Sequence, residues 1–162
     1  MRSTENTAFH TLPDATIRRL TISDVSTVLA ILQESPEAAA WSRESLLQLT
    51  SVEHAAWVAE RDGGVAGFLI GRVAAGEFEI QNMAVSRAHR RRGIGSKLLV
   101  FALEFSRRSG SARAYLEVRA SNGPAISLYA RHGFTECGRR TRYYREPEED
   151  ALLLSRRTDG TL

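Results

Sequence analysis

The sequence predicts an α/β domain built on a mixed β-sheet, and three observations carry the prediction. Strand-like and helix-like segments alternate along the chain. A glycine turn rimmed by arginines joins one strand to a helix, and a second strand-to-helix junction follows further on. Such alternation is the pattern of helices laid against the faces of a sheet.

Residues 1–14 are polar and aperiodic and read as a flexible tail, before a single domain over 15–157 and a short C-terminal tail over 158–162. Ala15 to Leu20 alternates as a first strand. Ser23 or Asp24 is placed to cap a helix whose apolar positions Val25, Val28, Leu29 and Leu32 share one face. Pro36 closes it. Ser42 caps a second short helix, with Trp41 and Leu46 spaced as a hydrophobic staple. From Ala55 the period changes to two: a strand over 56–60, a turn at Asp62-Gly63-Gly64, and a strand over 65–73. A turn at Ala74-Ala75-Gly76 leads into the strand 77–85. A helix over 95–109 follows, with Gly110 as its stop. Next come a strand over 114–118 and a helix from Pro124, a favoured first helical residue. His132-Gly133-Phe134 ends that helix, and strands are expected over 135–142 and 151–155.

Composition bounds the function. The 162 residues, 43 % of them hydrophobic, suit one globular domain. No apolar run approaches the ~20 residues of a membrane span, and no cleavable signal is legible. The single cysteine, Cys137, excludes an internal disulfide and a cysteine metal cluster. It fits a reducing cytoplasm and reads as a small buried or half-buried residue. Residues 1–86 hold 6 basic and 11 acidic side chains and residues 87–162 hold 16 and 8, so −5 and +8 sum to the net +3. This basic second half lacks interleaved aromatics, which argues against a nucleic-acid partner. His10, His54, His89 and His132 have no metal-ligand spacing. No histidine base stands beside Ser86 or Ser96 in the sequence, so a hydrolase triad is not legible.

Chemistry concentrates first in Arg90-Arg91-Arg92-Gly93-Ile94-Gly95-Ser96. Two glycines let the backbone turn tightly and bring N–H groups close to a ligand. Those groups open a helix, whose N-terminus favours anions, and the arginines add positive charge. The pattern fits a pyrophosphate site. It is not a P-loop, because the glycines are too close and Lys97 is followed by Leu98; the third glycine of a dinucleotide fingerprint is also replaced by Leu98. The second concentration is Leu116-Glu117-Val118-Arg119-Ala120-Ser121-Asn122, followed by Leu128-Tyr129 and Gly133-Phe134.

Arg90-x-x-Gly93-x-Gly95 before an apolar helix resembles the coenzyme A pyrophosphate loop of the GNAT superfamily of N-acetyltransferases. With the Leu116–Tyr129 motif and Arg142-Tyr143-Tyr144, the likeness covers most of residues 15–155. It is similar to the branch that acetylates the N-terminal alanine of ribosomal proteins. The resemblance implies a mostly antiparallel sheet of about six or seven strands flanked by about four helices. It implies acetyl-CoA as co-substrate and no metal. Glu117 would be the general base and Tyr129 the general acid. Arg90 to Ser96 would hold the diphosphate. The main chain of Met83, Ala84 and Val85, together with Asn122, would hold the pantetheine arm. Trp41, Tyr143 and Tyr144 would line the acceptor side. The branch usually has an aromatic-proline stretch before Trp-Ser; here Ser35-Pro36-Glu37-Ala38-Ala39-Ala40 precedes Trp41-Ser42.

The acceptor expected from the resemblance is a protein N-terminus, such as that of a basic ribosomal protein drawn by Glu34, Glu37 and Glu44; these glutamates read equally well as solvated helix faces. A small-molecule amine, a lysine side chain, or a non-catalytic binding module are the alternatives.

Overall fold

A computed structural model describes residues 14–50 and 54–160. The first thirteen residues of the expected N-terminal tail, residues 51–53 and the last two residues lie outside the description. Seven strands and four α-helices run in the order β1 (Thr16–Arg19), α1 (Val25–Gln33), α2 (Arg43–Gln48), β2 (Ala55–Arg61), β3 (Gly64–Ala74), β4 (Glu77–Val85), α3 (Ile94–Arg108), β5 (Arg113–Arg119), α4 (Gly123–Arg131), β6 (Thr135–Arg145) and β7 (Glu148–Arg157). The spatial order is β1-β2-β3-β4-β5-β7-β6. Among the described residues only β4 and β5 pair in parallel. Strand count, helix count and the mostly antiparallel sheet agree with the expectation; β6 and β7 are longer than the sequence pattern indicated.

Local chemistry explains the connections. Asp62 and Gly63, at φ 54 and 77, form the two-residue turn between β2 and β3, and Ala75 and Gly76, at φ 52 and 76, form the next. Two positive φ values in succession match the twist of a hairpin. The Ser42 hydroxyl accepts the Ser45 N–H at 3.1 Å and caps α2. Trp41 and Leu46 belong to one apolar cluster beneath that helix.

The entrance to α1 differs from expectation. A 3₁₀ turn over Ile22–Asp24 precedes it. Asp24 turns its carboxylate backwards, accepting from the Thr21 N–H at 2.8 Å and from both Arg18 Nη atoms at 2.8 and 2.9 Å. Arg18 Nε also reaches Glu60 at 2.7 Å, so one guanidinium ties β1 to β2 and to the first helix. Asp24 is buried, which pushes its carboxyl up, yet the bonds from Arg18 and Thr21 outweigh burial and hold it below its ordinary range.

The sheet has a core on each face. Trp57, Phe78, Leu99, Leu103, Leu116, Tyr129 and Phe134 pack with α3 and α4 on one side. Val28, Ile31, Leu46, Val58, Phe68 and Ile70 pack with α1 and α2 on the other. Phe105 sits edge-on to both Trp57 and Phe78, at 4.9 and 5.7 Å between ring centroids.

Cys137 corrects a sequence reading, because it is exposed. β6 is an outer strand, and its register passes from Glu136↔Leu154 to Gly138↔Leu153, leaving Cys137 as the extra residue of a bulge without a core face. Thr158 is buried, and its hydroxyl donates to the Ser111 carbonyl at 2.6 Å, fastening the chain just after β7.

Replacing Asp24 with Asn should lower unfolding free energy at pH 7 by about 1–3 kcal/mol in urea titrations. Because the folded carboxyl titrates below its ordinary 3.8, its stabilisation is present above that value and is lost as pH falls through the lower one. The gap between Asp24→Asn and the parent protein should therefore close in strong acid.

Candidate active site

The site begins where two neighbouring strands part. β4 stays paired to β3 as far as Gly67↔Val85, but to β5 only from Glu77↔Arg113 to Ile80↔Leu116. At the point of separation the β3–β4 register passes from Ile70↔Asn82 to Gly71↔Ile80, leaving Gln81 as a bulge. A bulge adds twist and reverses which face the following side chains meet. Phe78 and Ile80 accordingly join the α3 core, whereas Ala84 joins the opposite one and Met83 and Val85 take over the α3 side. The diverging strands open a cleft of about 1200 Å³, and its walls include Met83, Ala84, Val85, Glu117, Asn122 and Tyr129.

One end of the cleft is the first turn of α3. Gly93, its N-cap, has φ 78, a conformation that side-chain-bearing residues rarely adopt. Gly95 matters for a different reason: a Cβ there would stand 3.3 Å from Leu128 Cδ2, so its absence lets α4 approach α3. The opening N–H groups of a fifteen-residue helix have no partner within the helix and aim at this end. Arg91, Gly93, Ile94, Gly95 and Ser96 line it; Arg92 does not. Among the described residues no carboxylate pairs with Arg91.

Arg90 behaves differently from its neighbour. Its Nε donates to the Val85 carbonyl at 3.0 Å, and Nη2 donates to the Glu34 carbonyl at 3.2 Å and Ser35 Oγ at 2.9 Å. It borders the cleft while its guanidinium binds the end of β4 to the end of α1. Glu34 is similarly engaged, accepting the Arg87 N–H at 2.9 Å. Of the three glutamates singled out above, Glu37 lines the cleft and Glu34 and Glu44 do not.

At the other end stand Glu117 and the tyrosines. Glu117 Oε1 accepts from Arg140 Nε at 2.7 Å. The Tyr143 phenol bonds the same carboxylate, whose acceptance and charge hold the phenol above its usual pKa. β6 bulges here, passing from Arg140↔Ala151 to Tyr144↔Glu149, and carries both tyrosines over the cleft. Tyr143 and Tyr144 meet edge to face, 5.1 Å between centroids. Arg119 lies 4.1 Å from the centre of the Tyr144 ring and pairs with Glu149 at 2.9 Å, which fixes the second tyrosine from below. Asn122 caps α4, its Oδ1 accepting from the Ala125 N–H at 3.3 Å.

Tyr129 is buried against Phe134, 5.8 Å between rings, and still lines the cleft. Burial, helped by Tyr144, pushes its phenol up to about 12. Trp41 lies apart, in the α2 cluster rather than on the cleft wall.

Sequence reading missed several cleft residues. Gln81, Asn82, His89 and Arg131 line it, and Asn82 donates to the Ala39 carbonyl at 2.8 Å. The absence of a histidine beside either serine is also corrected. Ser86 Oγ lies 2.7 Å from His89 Nδ1, and Ser96 Oγ lies 2.6 Å from His132 Nε2, the second pair joining residues 36 apart in the chain. No triad follows, because neither serine–histidine pair has an orienting carboxylate within hydrogen-bond distance among the described residues.

A parted parallel strand pair facing a glycine-led helix N-terminus forms a cleft with an anion-favouring end and an open strand edge. Comparison with known proteins identifies the family. The profile of the Acetyltransferase (GNAT) family matches residues 25–134. The [ribosomal protein bS18]-alanine N-acetyltransferase of Escherichia coli K12 is 32 % identical over 142 residues, covering 86 % of this chain and 95 % of that one. The N-alpha-acetyltransferase RimI of Mycobacterium tuberculosis is 38 % identical over 108 residues, 64 % of this chain and 66 % of its own length. The crystal structure of the Escherichia coli ribosomal-protein-S18-alanine N-acetyltransferase superposes with a TM-score of 0.79 at 30 % identity, covering 91 % of this chain and 96 % of that one. The chain belongs to the GNAT family of acetyltransferases.

Arg90→Ala should cost about 1–2 kcal/mol in chemical denaturation, because three acceptors at the junction of α1 and β4 lose their donor. Arg92→Ala should leave the unfolding midpoint unchanged in the same measurement.

Proposed function

We propose that the protein transfers the acetyl group of acetyl-CoA to the N-terminal α-amine of a protein, a ribosomal protein with alanine first. The observation that carries this reading is the meeting of Glu117 and Tyr129 on one cleft that also holds the α3 N-terminus. The E. coli relative, similar along 95 % of its length, supports the acceptor class.

The residues fit the donor. Unpartnered N–H groups of α3 and the Arg91 guanidinium suit the diphosphate. The β4 edge beyond Ile80, left without a strand partner on the β5 side, suits the amide-bearing arm. The Val85 carbonyl is occupied by Arg90 and the Ala84 main chain faces β3, so the Met83 main chain and the Val85 N–H carry the contacts there. Asn122 borders this arm. Tyr143 and Tyr144 form apolar walls with polar tips around an extended peptide start.

An α-amine with a reference pKa near 7.7–8 is largely protonated at neutral pH and cannot attack a thioester until it loses a proton. Glu117 receives that proton, directly or through water. The Tyr129 phenol, held protonated far above neutrality, donates a hydrogen bond to the departing sulfur. Burial holds the phenol above its usual range, so Tyr129 meets the leaving sulfur with its proton in place, as a general acid requires.

Glu117→Gln should lower turnover at pH 7 by about 10²-fold or more, with partial recovery near pH 9, where the amine is already neutral. Tyr129→Phe should bind acetyl-CoA like the parent protein while turning over about 10–100-fold more slowly. The acceptor is tested by incubating the protein with acetyl-CoA and a panel of peptides, read by mass spectrometry. Acetylation of alanine-first basic peptides at the α-amine is expected. Modification only of lysine side chains or of small amines would replace the acceptor class proposed here.

A further inference from the structure

His132 has no part in the chemistry above, yet its partner Ser96 stands at the anion-binding end of the cleft. Ser96 belongs to the first turn of α3 and is one of the residues lining the cleft. His132 is the C-cap residue of α4, and its Nε2 lies 2.6 Å from Ser96 Oγ. Its own carbonyl accepts from Arg156 Nη1 of β7 at 2.7 Å, which fixes the residue from behind. A serine hydroxyl has one proton. If that proton points at the imidazole, oxygen lone pairs face the incoming anion and repel it. If Nε2 carries the proton instead, the hydroxyl is free to donate to the anion.

Resting on the acetyl-CoA reading, we propose that Ser96 and His132 form a hydrogen-bond relay that grips the coenzyme diphosphate. The His132 Nε2–H donates to Ser96 Oγ, and the Ser96 O–H donates to a phosphoryl oxygen. His132 is thus a positioning residue that sets the direction of the hydroxyl.

The relay also couples anion binding to protonation. The charged groups facing His132 are Arg131 on its own helix and Arg156 on β7, with the neutral Ser96 on α3. Burial, Arg131 and Arg156 hold the imidazole below its usual value, so the free protein keeps it neutral near pH 7. A bound diphosphate offsets the two guanidinium charges and favours the imidazolium, which carries an Nε2–H by necessity. Affinity therefore rises as pH falls from neutrality toward the lowered range of the free imidazole, with uptake of a fraction of a proton.

The test is calorimetric titration of the whole chain with dephospho-CoA, which lacks the 3′-phosphate whose own ionisation near pH 6 would intrude. It is run from about pH 5.5 to 8 in two buffers of different ionisation heat. The parent protein should take up protons on binding in the acidic half of this range and none at its alkaline end. Ser96→Ala and His132→Leu should each weaken binding about tenfold at pH 7. His132→Gln, whose amide N–H replaces Nε2–H, should restore affinity to within about threefold while abolishing proton uptake. Parent-like binding by both Ser96→Ala and His132→Leu would overturn the relay, as would proton uptake persisting in His132→Gln. Circular dichroism checks the folding of His132→Leu; should that variant unfold, Ser96→Ala and His132→Gln decide the matter. If the parent protein binds neither dephospho-CoA nor CoA, the coenzyme reading itself falls, an outcome distinct from failure of the relay alone.

Discussion

The parting of β4 from β5 after Ile80↔Leu116 is the constraint on which the remaining structure turns. A continuous sheet would have satisfied the backbone of both strands and left no cleft. The bulge at Gln81 swings β4 aside while β3 still holds it, so one edge of β4 is stabilised and the other is open. The elements around the opening each supply one face: α3 its N-terminus, α4 its first and last turns, and β6 its two tyrosines. Chemical groups far apart in the chain converge because they sit at the ends of strands and helices that border one gap.

The scaffold around this gap is tied by arginines, which explains part of the basic second half. Arg90 joins β4 to α1, Arg119 supports Tyr144 through Glu149, Arg140 meets Glu117, and Arg156 holds the end of α4. A planar guanidinium reaches several acceptors at fixed angles, and a lysine would not join three backbone and side-chain oxygens as Arg90 does. Arg91 and Arg131, by contrast, line the cleft without a carboxylate partner among the described residues.

Much of the fold was legible because local chemistry determined it. Ser42, Gly93, Gly110 and the Asp62-Gly63 turn announce themselves through capping or positive φ, and the two strand-to-helix junctions marked the cleft. What escaped notice depends on register or on distant partners. The apolar alternation of Phe78 and Ile80 breaks at Gln81-Asn82 and resumes one residue out of phase at Met83 and Val85, the trace of the bulge that a reading of 77–85 as one regular strand passes over. Cys137 lost its core face through a comparable slip on β6. Ser96 and His132 are separated by a helix, a strand and a second helix, and no spacing rule links them. Arg90 and Arg91 are indistinguishable as letters, and only the carbonyls within reach of each divide a strut from a free cation.

On the transfer reading proposed above, the ion pair between Arg140 and Glu117 would set the terms on which an amine arrives. Glu117 is already neutralised by a guanidinium at 2.7 Å, so an incoming ammonium swaps one cation for another rather than introducing an uncompensated one. Arg140 stands on an exposed outer strand, with solvent beside it. Docking is consequently a form of ion exchange, in which a guest without a positive charge has nothing with which to dislodge the resident.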